Sequence, residues 1–351
     1  YLIADYIDHA DMSSEIKFFD HSGEKLDLQL PNSLNGTISG FQSMGDDSIM
    51  FSVHSYTQPI QYFTYDLKED ELELIWEEII PGFNPTDYVE ISTHYESKDG
   101  TIVPITYSHK SSTKLDKNTP IFLYAYGGYN ISIRPAFTPK YVAWLEMGGV
   151  LAVANIRGGG EFGKAWHNAG RLDTKQNVFD DFLYASKFLE DNSIGNRKST
   201  VISGRSNGGL LVGTTLIQNP NYFGAALPAV GVMDMIRFTE FTEGWGWRGD
   251  YGYPILDQTD FHRNLKISPY HQTKIDVCYS PTLTTTARRD DRVVPSHSYK
   301  FTARLQEYQA CDNPVMLYDA PRAGHGSGNG VAMPKWKRIE LFSIEQSFAL
   351  K

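Results

Sequence analysis

The first eighty residues alternate short apolar stretches with polar turns, which is typical of β-strands. The predicted strands are residues 15–20, 26–30, 48–55, 61–67 and 72–76. Regular short strands of this kind are found in β-sandwiches, barrels and propellers. Two loosely similar four-strand units favour propeller blades, although two blades cannot close a ring.

From residue 81 onward the pattern changes. Residues 88–109 predict a hairpin, and after it apolar strands alternate with helices. The further predicted strands are residues 121–126, 150–156, 200–203, 224–230, 281–286 and 314–318, and the predicted helices are 139–147, 177–191, 295–309 and 334–350. Continuous apolar strands between helices indicate a mostly parallel sheet that is covered on both faces, and hence an α/β fold.

One turn in this region has a distinctive composition. The strand over residues 200–203 leads into Gly204, Ser206 and Gly208, and apolar positions at helical spacing follow. A strand, a sharp turn and a helix with serine at the apex would hold the hydroxyl clear at a helix N-terminus, as a nucleophile requires. An ordinary glycine-rich turn with a capping serine is the alternative interpretation.

A serine nucleophile needs a base, and the base needs an orienting acid. Asp290 and Asp291 follow the predicted strand at 281–286, and His325 lies between two glycines after the strand at 314–318. The order serine, acid, histidine suits this fold type. Spacing alone does not separate Asp290 from Asp291. A turn acid and a surface-loop histidine remain the alternatives.

Composition narrows the function classes. The chain has 351 residues and 32 basic against 42 acidic side chains, a net charge of −10 that argues against nucleic-acid binding. No apolar run approaches a membrane span, and no secretory signal opens the chain. Cys278 and Cys311 have no metal-like spacing, so a reducing compartment is the simpler expectation. We therefore expect a cytoplasmic location without metal, cofactor or membrane partner; a missing initial Met leaves a periplasmic or secreted one open.

Five stretches together resemble the prolyl oligopeptidase family, serine peptidases that combine an α/β-hydrolase domain with a seven-bladed propeller. They are residues 124–132, 149–161, 206–211, 231–235 and 290–295. The resemblance runs from about residue 1 to the end. It implies an α/β-hydrolase domain over residues 81–351, preceded over residues 1–80 by the last blades of a β-propeller.

The resemblance also implies residue roles. Ser206 is the nucleophile, His325 the base and Asp290, rather than Asp291, the orienting acid. The Tyr126 phenol and the backbone N–H of Asn207 form the oxyanion hole. A core aromatic at a strand end is the other interpretation of Tyr126.

Substrate-binding roles follow from the same resemblance. Arg292 anchors a substrate carbonyl, although a guanidinium there can instead pair with Asp290 or Glu161. A proline pocket is formed by Trp247, Tyr251, Val232 and Tyr129. A proline ring is apolar and flat, so an indole face suits it. Simple aromatic packing is the alternative for Trp247, because Trp245 lies two residues away.

Two departures from the family pattern stand out. Arg289 replaces a frequent histidine before Asp290, which adds positive charge beside the site. The family's chain is also about twice as long, so we expect this sequence to be a fragment or half. Its expected partners are short proline-containing peptides and the missing N-terminal propeller half of the same protein.

The sequence thus predicts a serine endopeptidase that cleaves short peptides after proline through an acyl-enzyme on Ser206. One alternative is a relative with basic specificity, using Glu240 or Glu243, or a peptide macrocyclase. The other is a non-catalytic binding module, against which the intact Ser206, Asp290 and His325 argue.

Overall fold

A computed structural model describes residues 1–31, 34–45, 47–328 and 333–350. The chain divides into two compact units. The first comprises Tyr1–Thr93, Thr106–Thr113 and Arg134–Met147; the second comprises His94–Ile105, Lys114–Ile133 and Gly148–Lys351. The domain boundary between residues 80 and 81 stays a prediction.

Antiparallel strands begin the chain. They are β1 (Leu2–Ile7), β2 (Ser14–Phe19), β3 (Thr37–Ser43), β4 (Ser48–His54), β5 (Gln61–Asp66) and β6 (Glu71–Glu77). β1 pairs with β2, and β3 to β6 form a four-stranded sheet in chain order. Their inward side chains, among them Phe18, Phe51 and Tyr65, form one apolar core.

One predicted strand of this region is wrong. Residues 26–30 form no strand, and a single isolated bridge joins Lys25 to Phe19. Leu26, Leu28 and Leu30 nevertheless pack against the apolar core. The period-two alternation therefore reports which side chains face inward, whereas the backbone meets β2 only at its beginning, where the Leu26 N–H donates to the Phe18 carbonyl.

The remaining chain alternates strands and helices. In order, its elements are β7 (Tyr88–Glu96), β8 (Ile102–Lys110), β9 (Ile121–Tyr124), α1 (Pro139–Glu146), β10 (Val150–Ala154), α2 (Gly163–Asn168), α3 (Gln176–Asp191), β11 (Thr200–Arg205), α4 (Asn207–Gln218), β12 (Ala225–Ala229), α5 (Arg248–Tyr251), α6 (Gln258–Ile267), α7 (Pro269–Gln272), β13 (Thr282–Ala287), α8 (Ser296–Tyr308), β14 (Val315–Ala320) and α9 (Lys335–Ala349). Short 3₁₀ helices lie at Pro85–Asp87, Leu172–Thr174, Phe238–Glu240, Gly244–Trp247 and His325–Gly328. None of the described helices combines the length and apolarity that crossing a bilayer requires.

Eight strands form one sheet in the order β14, β13, β12, β11, β9, β10, β8, β7. The six strands from β9 to β14 pair in parallel, as predicted. Every residue of β10, β12 and β13 is buried, which explains their continuous apolar or small-residue composition. Parallel strands end at one edge of a sheet, so the segments after β9, β11, β13 and β14 lie at a common edge. The predicted residues Tyr126, Ser206, Asp290 and His325 lie in those four segments.

The two cysteines are bonded to each other. The Cα atoms of Cys278 and Cys311 lie 5.2 Å apart across a disulfide, although 33 residues separate them. A β-bridge between Val277 and Gln309 brings the two segments together. The sequence does not predict this bond, because the two cysteines are distant in sequence and only the fold brings them together. Disulfides of this kind are typical of oxidising compartments.

The disulfide yields a prediction about stability. Replacing both cysteines by alanine should lower the free energy of unfolding by about 3–4 kcal/mol, because a closed loop of 33 residues restricts the unfolded chain. Urea denaturation of the oxidised parent and of the variant measures the difference. Two titratable thiols in the unreduced, unfolded parent, or equal stability of the two proteins, would contradict the bond.

Candidate active site

Ser206 occupies a strained turn between β11 and α4. Its φ of 57° and ψ of −116° lie outside the usual regions for an L-residue. A Cβ atom on Gly204 would lie 2.3 Å from the Gly208 carbonyl oxygen, and one on Gly208 would lie 2.9 Å from the Ala125 carbonyl oxygen. The Gly-x-Ser-x-Gly spacing is therefore explained by backbone approach: the two glycines let strand, helix and the end of β9 meet around the serine.

The Ser206 side chain lies close enough to the Tyr126 phenol to influence its pKa. Burial, reinforced by Tyr124 and Asp250, raises the pKa of Tyr126 to about 12, against the lowering effects of Ser206 and the Arg292 charge. The phenol consequently keeps its proton at neutral pH and can donate it in a hydrogen bond.

Asp290 and His325 are in direct contact. The His325 Nδ1 atom lies 2.7 Å from Asp290 Oδ2, and the other carboxylate oxygen accepts the backbone N–H groups of Arg292 and Val293 at 3.0 and 2.9 Å. Asp290 is only 3 % exposed, whereas Asp291 is exposed. The geometry thus associates Asp290, and not its neighbour, with the histidine.

Arg205 links the serine turn to the histidine loop. Its guanidinium donates to the main-chain carbonyl of His325 at 3.2 Å. Because Arg205 directly precedes Ser206, this hydrogen bond holds the loop that carries His325 next to the serine turn. The Arg292 side chain is exposed, and its guanidinium charge opposes the rise in the pKa of the Tyr126 phenol.

The Asn207 side chain is buried and fully engaged. Its Nδ2 atom donates to the Tyr126 carbonyl, and its Oδ1 atom accepts from the Tyr251 hydroxyl at 2.6 Å and from the Lys175 ammonium at 3.2 Å. The Asn207 N–H is the first of α4, so no intrahelical carbonyl can accept it. Sequence reasoning missed Lys175, which gives no signal beyond its place before an amphipathic helix.

Aromatic rings cluster beside Asn207. The Tyr251 ring meets Tyr129 and Phe238 edge to face, with centroids 5.8 and 5.5 Å apart. The half-buried Trp247 stacks on Phe238 at 6.2 Å. The structure thus brings Trp247, Tyr251 and Tyr129 together. Val232 is buried after β12, and none of the ring contacts and hydrogen bonds described joins it to another predicted site residue.

Asp250 supports this aromatic cluster and was also missed. Its carboxylate accepts the Tyr129 N–H at 2.8 Å and lies 2.9 Å from His167 Nε2.

By contrast, Glu240 and Glu243, the carboxylates that a pocket for basic residues would use, are both exposed. Among the described residues, no His, Cys, Asp and Glu side chains are grouped as a metal site requires.

Residues 135–349 match the model of the prolyl oligopeptidase family. The chain belongs to this family. The predicted fold is confirmed by a structure from a study of two prolyl endopeptidases, with a TM-score of 0.91, 38 % identity and coverage of 99 % of this chain and 50 % of the other.

Relatives within the family have two kinds of name. The prolyl endopeptidase of Elizabethkingia miricola is 41 % identical over 98 % of this chain and 48 % of its own. A dual-function macrocyclase-peptidase of Amanita bisporigera is 39 % identical; the match covers 83 % of this chain and 39 % of that protein. A prolyl oligopeptidase B of Galerina marginata, bound to a 35mer hydrolysis and macrocyclization substrate, superposes with a TM-score of 0.91 at 32 % identity, covering 99 % and 48 %. The chain therefore spans about half the length of these relatives or less.

The serine turn yields a prediction about packing. Gly204→Ala should destabilise the fold by about 1–3 kcal/mol, because its Cβ atom would meet the Gly208 backbone, which cannot move aside like a flexible side chain. Gly246→Ala is the control, since a Cβ atom there meets nothing within 4 Å. Thermal unfolding compares the two variants; equal melting temperatures would show that the turn is not tightly packed.

Proposed function

We propose that this chain carries the catalytic centre of a serine endopeptidase that cleaves short peptides on the C-terminal side of proline. The observation that carries the proposal is the contact between the buried Asp290 and the partly buried His325, whose loop is hydrogen-bonded to Arg205 next to Ser206. Names of relatives support the same reaction.

The chemistry follows from the Asp290–His325 contact and from Ser206 beside the Tyr126 phenol. The Ser206 hydroxyl attacks the carbonyl carbon of the proline residue itself, while His325 takes the hydroxyl proton and Asp290 stabilises the resulting imidazolium. The Tyr126 phenol and the Asn207 N–H donate to the oxyanion. The C–N bond then breaks, and His325 returns the proton to the departing amine. Water, activated by His325, hydrolyses the Ser206 ester.

Specificity for proline is proposed for the aromatic cluster. Trp247 offers a ring face, and Tyr251, Tyr129 and Val232 provide apolar walls. A proline ring matches such a surface, whereas a charged side chain would lose its hydration there. Arg292 holds a carbonyl of the substrate backbone. The exposure of Glu240 and Glu243 disfavours the alternative specificity for basic residues.

A second candidate activity is peptide macrocyclisation. Two relatives, from Amanita bisporigera and Galerina marginata, are named dual-function macrocyclase-peptidases and are 39 % and 34 % identical to this chain. The two reactions share the acyl-enzyme and differ only in whether an amine or water attacks it.

The complete protein is proposed to follow the family's organisation. Residues 1–80 would be the C-terminal part of a propeller and residues 81–351 the hydrolase domain, accompanied by the N-terminal half that the longer relatives possess. The Cys278–Cys311 bond supports a periplasmic or secreted location over the cytoplasmic one that composition suggested.

The nucleophile is tested by Ser206→Ala. Hydrolysis of a proline-containing peptide should fall by several orders of magnitude, while binding of the uncleaved peptide is retained. Steady-state kinetics and calorimetric titration in the full-length protein measure the two quantities. Turnover close to that of the parent would remove Ser206 from the mechanism.

The pocket is tested by Trp247→Ala with matched substrates. The parent should prefer proline over alanine before the scissile bond by roughly a hundredfold in kcat/KM, or about 2–3 kcal/mol of ring burial and stacking. The variant should lose most of that preference while alanine peptides stay slow. Trp245→Ala is the control, because this neighbouring indole is exposed.

Two outcomes would contradict the pocket. An equal loss for proline and alanine peptides in Trp247→Ala would make the indole a packing residue. A parent that prefers arginine or lysine would exclude proline specificity altogether.

A further inference from the structure

Lys175 is a buried cation next to the proposed oxyanion hole. The residue is 2 % exposed, and burial lowers the pKa of its ammonium to about 8, although Asp250 opposes this effect. Removing an ammonium from water is unfavourable unless polar partners replace the water. The partners of Lys175 therefore indicate what its burial achieves.

Both acceptors of Lys175 belong to the elements that would bind the oxyanion. Its Nζ atom donates to the Gly127 carbonyl at 2.9 Å and to Asn207 Oδ1 at 3.2 Å. Gly127 directly follows Tyr126, and Asn207 directly follows Ser206. One side chain thus joins the segment that carries the phenol donor to the residue that carries the backbone donor.

Asn207 completes the same junction from the other side. Its Nδ2 atom donates to the carbonyl of Tyr126, and the Tyr251 hydroxyl donates to its Oδ1 atom. The Lys175 ammonium also lies 5.5 Å from the centre of the Tyr251 ring. The amide is therefore held in a single orientation by three partners, and the phenol segment is held by two.

We propose that Lys175 is a positioning residue for the reaction: by bridging Gly127 and Asn207, it fixes the distance between the two oxyanion donors. It contacts neither substrate nor the reacting atoms. The inference rests on the proposed function, because it presupposes that the Tyr126 phenol and the Asn207 N–H bind the oxyanion. Misplacing such donors by about 1 Å is enough to lower a rate by about a hundredfold.

A double-mutant cycle tests the proposal. Lys175→Met keeps the length and apolar bulk of the side chain and removes the donors. In the full-length protein it should lower kcat for a proline peptide by 10- to 100-fold and change KM by less than about threefold, because the donors act mainly in the transition state. In a Tyr126→Phe background the same substitution should cost less than about fivefold, since one of the donors that it positions is already gone.

Thr214→Val is the matched control. Thr214 is also a buried donor, lies on α4 and bonds the Ile267 carbonyl at 2.8 Å, away from Ser206. Its loss should leave kcat near the parent value in either background. Active-site titration with a fluorophosphonate normalises every rate to the folded, competent enzyme.

The outcomes separate the two levels of inference. An unchanged kcat in Lys175→Met, or losses that multiply fully with Tyr126→Phe, would overturn the role of Lys175 alone. A normal kcat in Tyr126→Phe would overturn the assignment of Tyr126 to the oxyanion hole. Turnover by Ser206→Ala would overturn the proposed function. If Lys175→Met does not fold, Tyr251→Phe removes the other donor to the Asn207 side chain. If its loss of kcat then multiplied fully with that of Tyr126→Phe, the contacts of Asn207 would not position the oxyanion donors.

Discussion

The close approach of three backbone segments around Ser206 is the constraint on which the proposed site depends. The carbonyl of Gly208 occupies the space where a Gly204 side chain would be, and Ala125 limits Gly208 in the same way. The serine accordingly adopts a backbone conformation that few residues tolerate. This close packing places the start of α4 and the end of β9 next to Ser206.

Polar contacts then maintain the arrangement that packing creates. On one side of Ser206, Asn207 binds the carbonyl of Tyr126 and is itself held by Tyr251 and Lys175. On the other side, Arg205 binds the histidine loop. The residues on both sides of the serine thus act as connectors. In the proposed mechanism, substrate recognition and transition-state stabilisation share Tyr251, because its ring belongs to the aromatic cluster and its hydroxyl donates to the Asn207 side chain.

Much of this architecture could be predicted from the sequence, and the failures have physical reasons. The parallel strands were identifiable because burial on both faces leaves a continuous apolar composition, as in β10. The segment 26–30 was misassigned because facing a core and pairing in a ladder give the same alternation. The Cys278–Cys311 bond, Lys175 and Asp250 were missed because they depend on contacts between distant segments, which neither periodicity nor spacing records.

Ser206 is proposed as the activated nucleophile of this chain, and covalent labelling tests this role most directly. The folded full-length protein is treated with a proline-containing peptidyl phosphonate, digested and mapped by mass spectrometry. We expect one adduct, on Ser206, that is absent when the protein is unfolded before treatment. An adduct on another residue, or labelling that survives prior unfolding, would contradict it.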